Sequence, residues 1–394
     1  MEIFQTQQIF DDCFKQLKKQ DYIGFDPADL MNTSSKLIKG LPSPLIRLLT
    51  IFNFLSPINF RKLLKIQPSQ NTTAMVVMAR ALLNKYNETK TAEYITEAQK
   101  LEKWMSQRSV SFKDSIGWAR VIPYQSRKDF QHASQSTLTF INAFSLELYL
   151  DLYKIEGNEY YLNIAKKISN HIINYTNRIN REFGSCLSYI NNANEEVLNA
   201  SIMAGAALNR YAHIQNDKVA LELSMSLLDY ILHRQNPNGS WEYSYKANGK
   251  PKRQYDFHQC YVLDSMMKYD LSNDNERHKK VENSFSKGLD FYFDSQFDKK
   301  MRPYWRYPIK YPIDIHNVSH AIFFISKYYK EVPESSSKLN KLLSLLYNEF
   351  YDSGKHFFYY QRYPFLTVRH NFFRWNTVWT LYALSNLNSN SKVI

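Results

Sequence analysis

The chain has 394 residues, 44% of them apolar, which is enough to bury a large core and far from the composition of a disordered chain. Fifty Lys and Arg against 37 Asp and Glu leave a formal charge of +13, so the complementary partner is acidic, such as an anionic glycan or lipid surface. The cations are scattered at helical surface spacing and not gathered in runs, which argues against nucleic acid, and three cysteines (Cys13, Cys186, Cys260) without paired spacing exclude a disulfide framework or a CxxC zinc pattern.

In chain order, the first eight residues lack a basic segment followed by an apolar core, so no signal peptide is expected, and the cysteine usage suits a reducing, cytoplasmic setting. The pattern predicts a first helix over 3–19. The stretch Gly24-Phe25-Asp26-Pro27 then opens an irregular region punctuated by Pro42, Pro44, Pro57 and Pro68. Within it, the apolar run 45–54 lies near Arg47, Arg61, Lys62 and Lys65, and weak membrane-surface association through 41–66 is one reading; packing on the body is the other. No apolar run approaches the roughly 20 residues that a membrane span needs.

From residue 70 the pattern is regular. Helices with apolar, small-residue faces are expected near 70–86, 135–154, 196–215, 257–270, 315–330 and 371–386. More amphipathic helices alternate with them near 90–107, 158–177, 217–235, 276–296 and 336–351. With the N-terminal helix these form six pairs. Connections into the first set are long and those out of it are short, so long loops gather on one face. The expectation is an all-α (α/α)6 toroid over 70–394, with short rim hairpins near 186–189, 240–245 and 356–361, and 1–69 packed on the same body as an extension.

Chemistry is sought where loops feed the apolar helices. Asp256-Phe-His258 recurs as Asp314-Ile-His316, 58 residues later, each at the mouth of an apolar helix. A carboxylate beside an imidazole can take up, give or orient a proton, so Asp256, His258, Asp314 and His316 are the candidate catalytic residues. The two aspartates could instead serve as acid and base in glycoside cleavage. The plainer reading is that each Asp is an N-cap, worth about 0.5–2 kcal/mol. His320, one turn beyond His316, reads as a buried, satisfied histidine.

The candidate substrate-binding residues are Trp118, Tyr124, Arg127, His132, Asn199, Trp241, Trp305, Tyr311, Arg374 and Trp375. Guanidinium groups beside aromatic faces, as at Arg127, Arg306 and Arg374, suit a sugar bearing a carboxylate or phosphate. Trp118, Trp241 and Trp375 would supply stacking walls. Metal ligation by Asp256, His258, Cys260 and His316 is a lesser alternative, because their spacing matches no recognised zinc pattern. With neither a P-loop, a GxGxxG after a strand nor a GxSxG present, no cofactor is expected.

Four stretches, Asn199-Ala-Ser-Ile-Met-Ala-Gly-Ala-Ala207, Asp256-Phe-His-Gln-Cys-Tyr-Val-Leu-Asp264, Tyr311-Pro-Ile-Asp-Ile-His316 and Arg374-Trp-Asn-Thr-Val-Trp379, resemble motifs of helical-toroid proteins associated with bacterial surface-polysaccharide synthesis. The resemblance spans most of the chain, including Gly24-Phe25-Asp26-Pro27. It implies a fold similar to that of unsaturated-glucuronyl hydrolases, N-acylglucosamine 2-epimerases and the helical domain of glucuronyl C5-epimerases. These enzymes use Asp, His or Tyr around a barrel mouth. The resemblance implies no particular reaction. With the candidate residues above, the expected activity is proton-transfer chemistry on an acidic or acylamino sugar, either epimerisation or bond cleavage. A glycan-binding scaffold protein, or a zinc- or isoprenoid-handling toroid, is the alternative.

Overall fold

The computed structural model describes residues 3–119 and 136–387, with the strand pair Tyr124–Gln125 and Phe130–Gln131 between them. Contacts group the chain into two units, one of 1–105, 119–136 and 311–394, the other of 106–118 and 137–310. The first unit contains the whole N-terminal extension together with 70–105 and 311–394.

In the unit 106–118 and 137–310, helix pairs follow one another along the chain. Thr139–Glu156 is buried on nearly every face, whereas its successor Glu159–Tyr175 buries one side, along Tyr161, Leu162, Ala165, Ile168, Ser169, His171 and Ile172. That contrast separates a core helix from one with a wet side. Leu198–Gln215 with Lys218–His233, and His258–Met266 with Asn275–Ser295, repeat the arrangement. The core helices touch in series, Thr139–Glu156 against Leu198–Gln215 and that against His258–Met266. Ala and Gly dominate the middle of Leu198–Gln215 because neighbours come close there: a Cβ at Gly205 would strike the Tyr269 hydroxyl.

Short turns join the first two core helices of this unit to their partners by one device. Gly157 (φ 66°) and Asn216 (φ 52°) end their helices in the left-handed conformation, and the next residue, Asn158 or Asp217, caps the following helix with its side chain. The long connections carry the expected hairpins: Arg178–Arg181 pairs with Gly184–Leu187, and Ser244–Tyr245 lies between Glu196–Val197 and Pro251–Lys252.

The other unit repeats the pairing with Thr72–Thr89 and Ala92–Ser106, then Ile315–Lys327 and Ser335–Leu345. Its third core element is the π-helical turn Phe373–Val378 running into Trp379–Leu384, against which the N-terminal helix Ile3–Lys19 packs. The extension is held by bridges Gly24–Ser69, Phe25–Phe372 and Thr33–Ile66. Leu30, Met31, Ile46 and Ile66 form a small core of its own. No described helix is long and apolar enough to cross a membrane.

Candidate functional site

The two Asp-x-His triplets share one local structure and differ in everything beyond it. Asp256 accepts the backbone N–H of His258 at 3.1 Å, and Asp314 accepts that of His316 at 2.9 Å. Each carboxylate thus accepts an N–H of its helix's first turn; Asp314 stands in the N-cap position, whereas Asp256 lies one residue ahead of the N-cap Phe257.

At the first triplet the carboxylate carries a second bond. His258 Nδ1 lies 2.5 Å from the same Asp256 oxygen, while Gln254 Nε2 donates to the other oxygen at 2.8 Å and Arg306 Nε approaches it at 3.8 Å. An ionised carboxylate only accepts, so the imidazole proton sits on Nδ1 and Nε2 carries the lone pair of the neutral ring. Burial opposes ionisation of Asp256, yet attraction to His258, the two bonds from that residue and the Gln254 amide outweigh it and hold the carboxyl below its ordinary value. Asp256 is 3% exposed and His258 is 16% exposed, so the carboxylate is sealed while the ring keeps an open edge.

Aromatic rings frame this imidazole. Phe257 stacks on it at 4.1 Å, Tyr243 meets it edge-on at 4.7 Å and Tyr261 lies at 6.2 Å. Cations stand over the neighbouring rings: Lys252 lies 4.5 Å from the Tyr243 ring, and Arg306 lies 4.6 Å from that of Trp305. The loops before helix His258–Met266 and after helix Asn275–Ser295 thus bring an oriented imidazole, flat faces and positive charge together.

At the second triplet the carboxylate is occupied otherwise. Asp314 accepts Trp375 Nε1 at 2.9 Å and Gln361 Nε2 at 2.8 Å, the latter from the strand paired with its own. The His316 ring turns away, its Nδ1–H donating to the Trp375 carbonyl at 3.2 Å while the ring stacks on the Trp375 indole at 4.2 Å. His320 continues the stack at 4.4 Å and donates Nδ1–H to the His316 carbonyl at 2.9 Å. Both imidazoles are 2% exposed. Trp375 reaches this position from the π turn Phe373–Val378, whose extra residue per turn re-aims its side chains.

Several expected binding residues prove to be structural. Trp118 and Trp241 are 0% exposed and cannot act as stacking walls. Trp241 gives its indole N–H to the Ile231 carbonyl at 2.9 Å and exchanges two backbone bonds with the Gln259 amide, which pins its loop to helix His258–Met266. Trp118 packs on Tyr149, its backbone N–H donating to Asn142 Oδ1. Arg374 is bidentate to Asp26 at 2.5 and 3.1 Å, so its charge serves the Gly24-Phe25-Asp26-Pro27 stretch and not an incoming anion. One face of Trp375 is covered by His316.

Of the rest, Asn199 lies in the first turn of Leu198–Gln215, its Oδ1 buried without a hydrogen-bond partner among the described residues. Trp305 sits beside Arg306, and Tyr311 is exposed ahead of Ile313–Asp314. Tyr124 belongs to a short strand whose side chains lie outside the described residues, as do Arg127 and His132 entirely. Among the described residues no group of His, Cys, Asp and Glu is arranged to hold a metal, and Cys260 is a buried core thiol, its pKa pushed up by burial. An open groove of about 1320 Å³ elsewhere in the same unit, lined in part by Phe183, His233, Asp229 and Arg277, contains none of the candidates. Its Arg277 is paired with Asp229 and Asp274. Gln254, Tyr243, Asp26 and Gln361 were not anticipated. Gln254 alone left a trace in the sequence, as a polar residue two places before Asp256.

No family model matches the chain, and no curated protein matches its sequence. Solved structures do match its fold. Cellobiose 2-epimerase from Bacillus thermoamylovorans aligns with a TM-score of 0.63 at 12% identity, over 81% of this chain and 87% of that one. The GH76 α-mannanase of Bacteroides thetaiotaomicron gives 0.60 at 10% identity, over 82% and 88%. An unsaturated glucuronyl hydrolase specific for heparin gives 0.56 at 11% identity, over 83% and 89%. At such identities the likeness concerns architecture, and it bears out the expectation from the helix pattern: this chain has the (α/α)6 toroid fold found among sugar-processing enzymes.

Proposed function

We propose that the protein is a carbohydrate-active enzyme that moves a proton on an acidic or acylamino sugar, with His258 as the proton acceptor. The supporting observation is the buried Asp256 carboxylate bonded to His258 Nδ1 at 2.5 Å, which leaves Nε2 of a partly exposed ring as its basic nitrogen. In the reaction, Nε2 takes the proton from a sugar carbon next to a carbonyl, and the electron pair of the broken C–H bond moves into an enediolate. Asp256 offsets the positive charge that the ring acquires. A proton from solvent then adds to the opposite face of that carbon while His258 gives its own proton up to solvent, which yields the epimer and restores the neutral ring. Arg306, Lys252 and the rings beneath them supply the anion and face recognition that such a sugar needs.

Epimerisation is preferred over glycoside cleavage because the hydrolytic version needs a carboxylic acid that keeps its proton near neutrality. Asp256 is shifted the other way, and Asp314 has each oxygen engaged by N–H donors. A role in surface-polysaccharide assembly is proposed from the motif resemblance alone.

The test is incubation with glucuronyl and acylamino sugars in heavy water, followed by NMR. The expected result is solvent deuterium at one sugar carbon, lost in His258→Ala while sugar binding persists. Absence of exchange across the panel, or exchange unchanged in His258→Ala, overturns the proposal.

A further inference from the structure

The helix Ser43–Leu55 in the N-terminal extension is apolar on both sides. Its inner side is fixed: Ile46 and Asn53 are buried, and Asn53 Nδ2 reaches toward Asp29 at 3.4 Å. Asp29 in turn is held by Arg61 Nε at 2.9 and 3.1 Å, with both side chains 1% exposed. This buried network sets which face of the helix points outward.

On the outward face Leu45, Leu48, Ile51, Phe52 and Leu55 are 47–63% exposed. At 100° per residue they occupy an arc of roughly 120°, the width of a face built to be covered. Leu37 at 84%, Ile58 at 62% and Leu63 at 77% extend the apolar surface before and after the helix. Scattered exposed leucines need no explanation, but an ordered stripe of this kind does.

The charge of the same stretch indicates what covers it. From residue 30 to residue 87 the sequence contains no Asp or Glu, while Lys36, Lys39, Arg47, Arg61, Lys62 and Lys65 fall within it. Lys36, Lys39, Lys62 and Lys65 are exposed. A second copy of this chain packed symmetrically on the stripe would bring like charges together. A bilayer with anionic headgroups satisfies both features, because it accepts the leucines below the headgroup level and the lysines at it. Thirteen residues are too few to span, so the helix lies in the plane of the surface.

We propose that this protein docks on anionic membrane surfaces through the outward face of Ser43–Leu55 and the lysines around it. The proposal is independent of the sugar chemistry. Docking would hold the protein beside substrates or products anchored in the membrane.

Flotation of the full chain with vesicles rich in phosphatidylglycerol, against vesicles of phosphatidylcholine alone, tests it. Binding is expected to the former, weakening about fivefold for each of Lys36, Lys39, Lys62 and Lys65 changed to Gln. It is also expected to weaken steeply with added salt. Leu48→Glu with Phe52→Glu should abolish it without changing the circular dichroism spectrum. Should that variant unfold, the lysine series alone decides. Equal binding to both vesicles, no binding to either, or a salt-resistant dimer in light scattering that Leu48→Glu dissolves would each overturn the proposal.

Discussion

Replacing Asp256 by Asn separates the carboxylate's charge from its geometry. Asn is as good an N-cap as Asp, so its oxygen can keep the backbone N–H of His258 and the helix start intact. What disappears is the negative charge next to the ring. His258 Nδ1 lies 2.5 Å from the Asp256 oxygen, and two unit charges about 4 Å apart at an effective dielectric of about 20 are worth up to about 4 kcal/mol. The proton-transfer transition state puts positive charge on the ring, so losing the whole of that support slows it nearly a thousandfold. Screening at the ring's open edge brings the expected loss to about 10²–10³. The assay is the rate at which solvent deuterium enters the sugar, with denaturant unfolding measured in parallel. Stability should change by less than about 2 kcal/mol, because the charge-assisted bonds are lost together with the cost of burying the charge. A rate within a few-fold of the parent, at unchanged stability, would refute the assignment of Asp256 as the group that supports His258.

Substitutions at two further residues examine positions that the fold has claimed. His171 is buried with Nε2 at 2.9 Å from Thr137 Oγ1, and burial pushes its pKa down from 6.5 to about 4. The unfolded chain therefore binds a proton between pH 6.5 and about 4 that the folded chain does not, and stability falls as pH drops through that window. The difference between the parent and His171→Phe should change by about 3 kcal/mol over that range in denaturant titrations. A flat difference would show that His171 does not resist protonation. Trp241→Ala should cost about 3–5 kcal/mol, the price of a large core cavity. Trp241→Phe should leave the sugar KM unchanged; a raised KM would restore Trp241 to the binding surface.

The helices were legible because each carries its own evidence. The apolar residues of Thr139–Glu156 fall all round, those of Glu159–Tyr175 fall on one stripe, and the turn between them uses Gly157 and Asn158 in the roles their chemistry favours. The bonds that Asp256 and Asp314 accept at their helix starts were legible for the same reason, since an Asp two residues ahead of the amide it accepts is a local relation. Contacts between distant residues left no such mark. Arg374 and Asp26 are 348 residues apart, and nothing near either names the other. A Trp in a polar, turn-rich loop reads the same whether it faces solvent or, like Trp241, is driven into the core. The π turn Phe373–Val378 was hidden too, because one extra residue per turn barely alters an apolar pattern over so short a run.

The two triplets also show why a repeated motif does not carry a repeated function. Each Asp has one oxygen committed to a backbone N–H at the helix start, and the use of the imidazole depends on whether another donor shares that oxygen. At Asp314 the Trp375 indole N–H does so, at 2.9 Å, and His316 is left to bond a carbonyl inside a stack with Trp375 and His320. At Asp256 the ring itself shares the oxygen, and the result is an oriented base at a partly open position. One indole is therefore enough to convert an acid–imidazole couple into packing. For this reason the proposed proton chemistry falls to His258, and the Asp314–Trp375 bond is read as the clamp that fixes the buried imidazole stack.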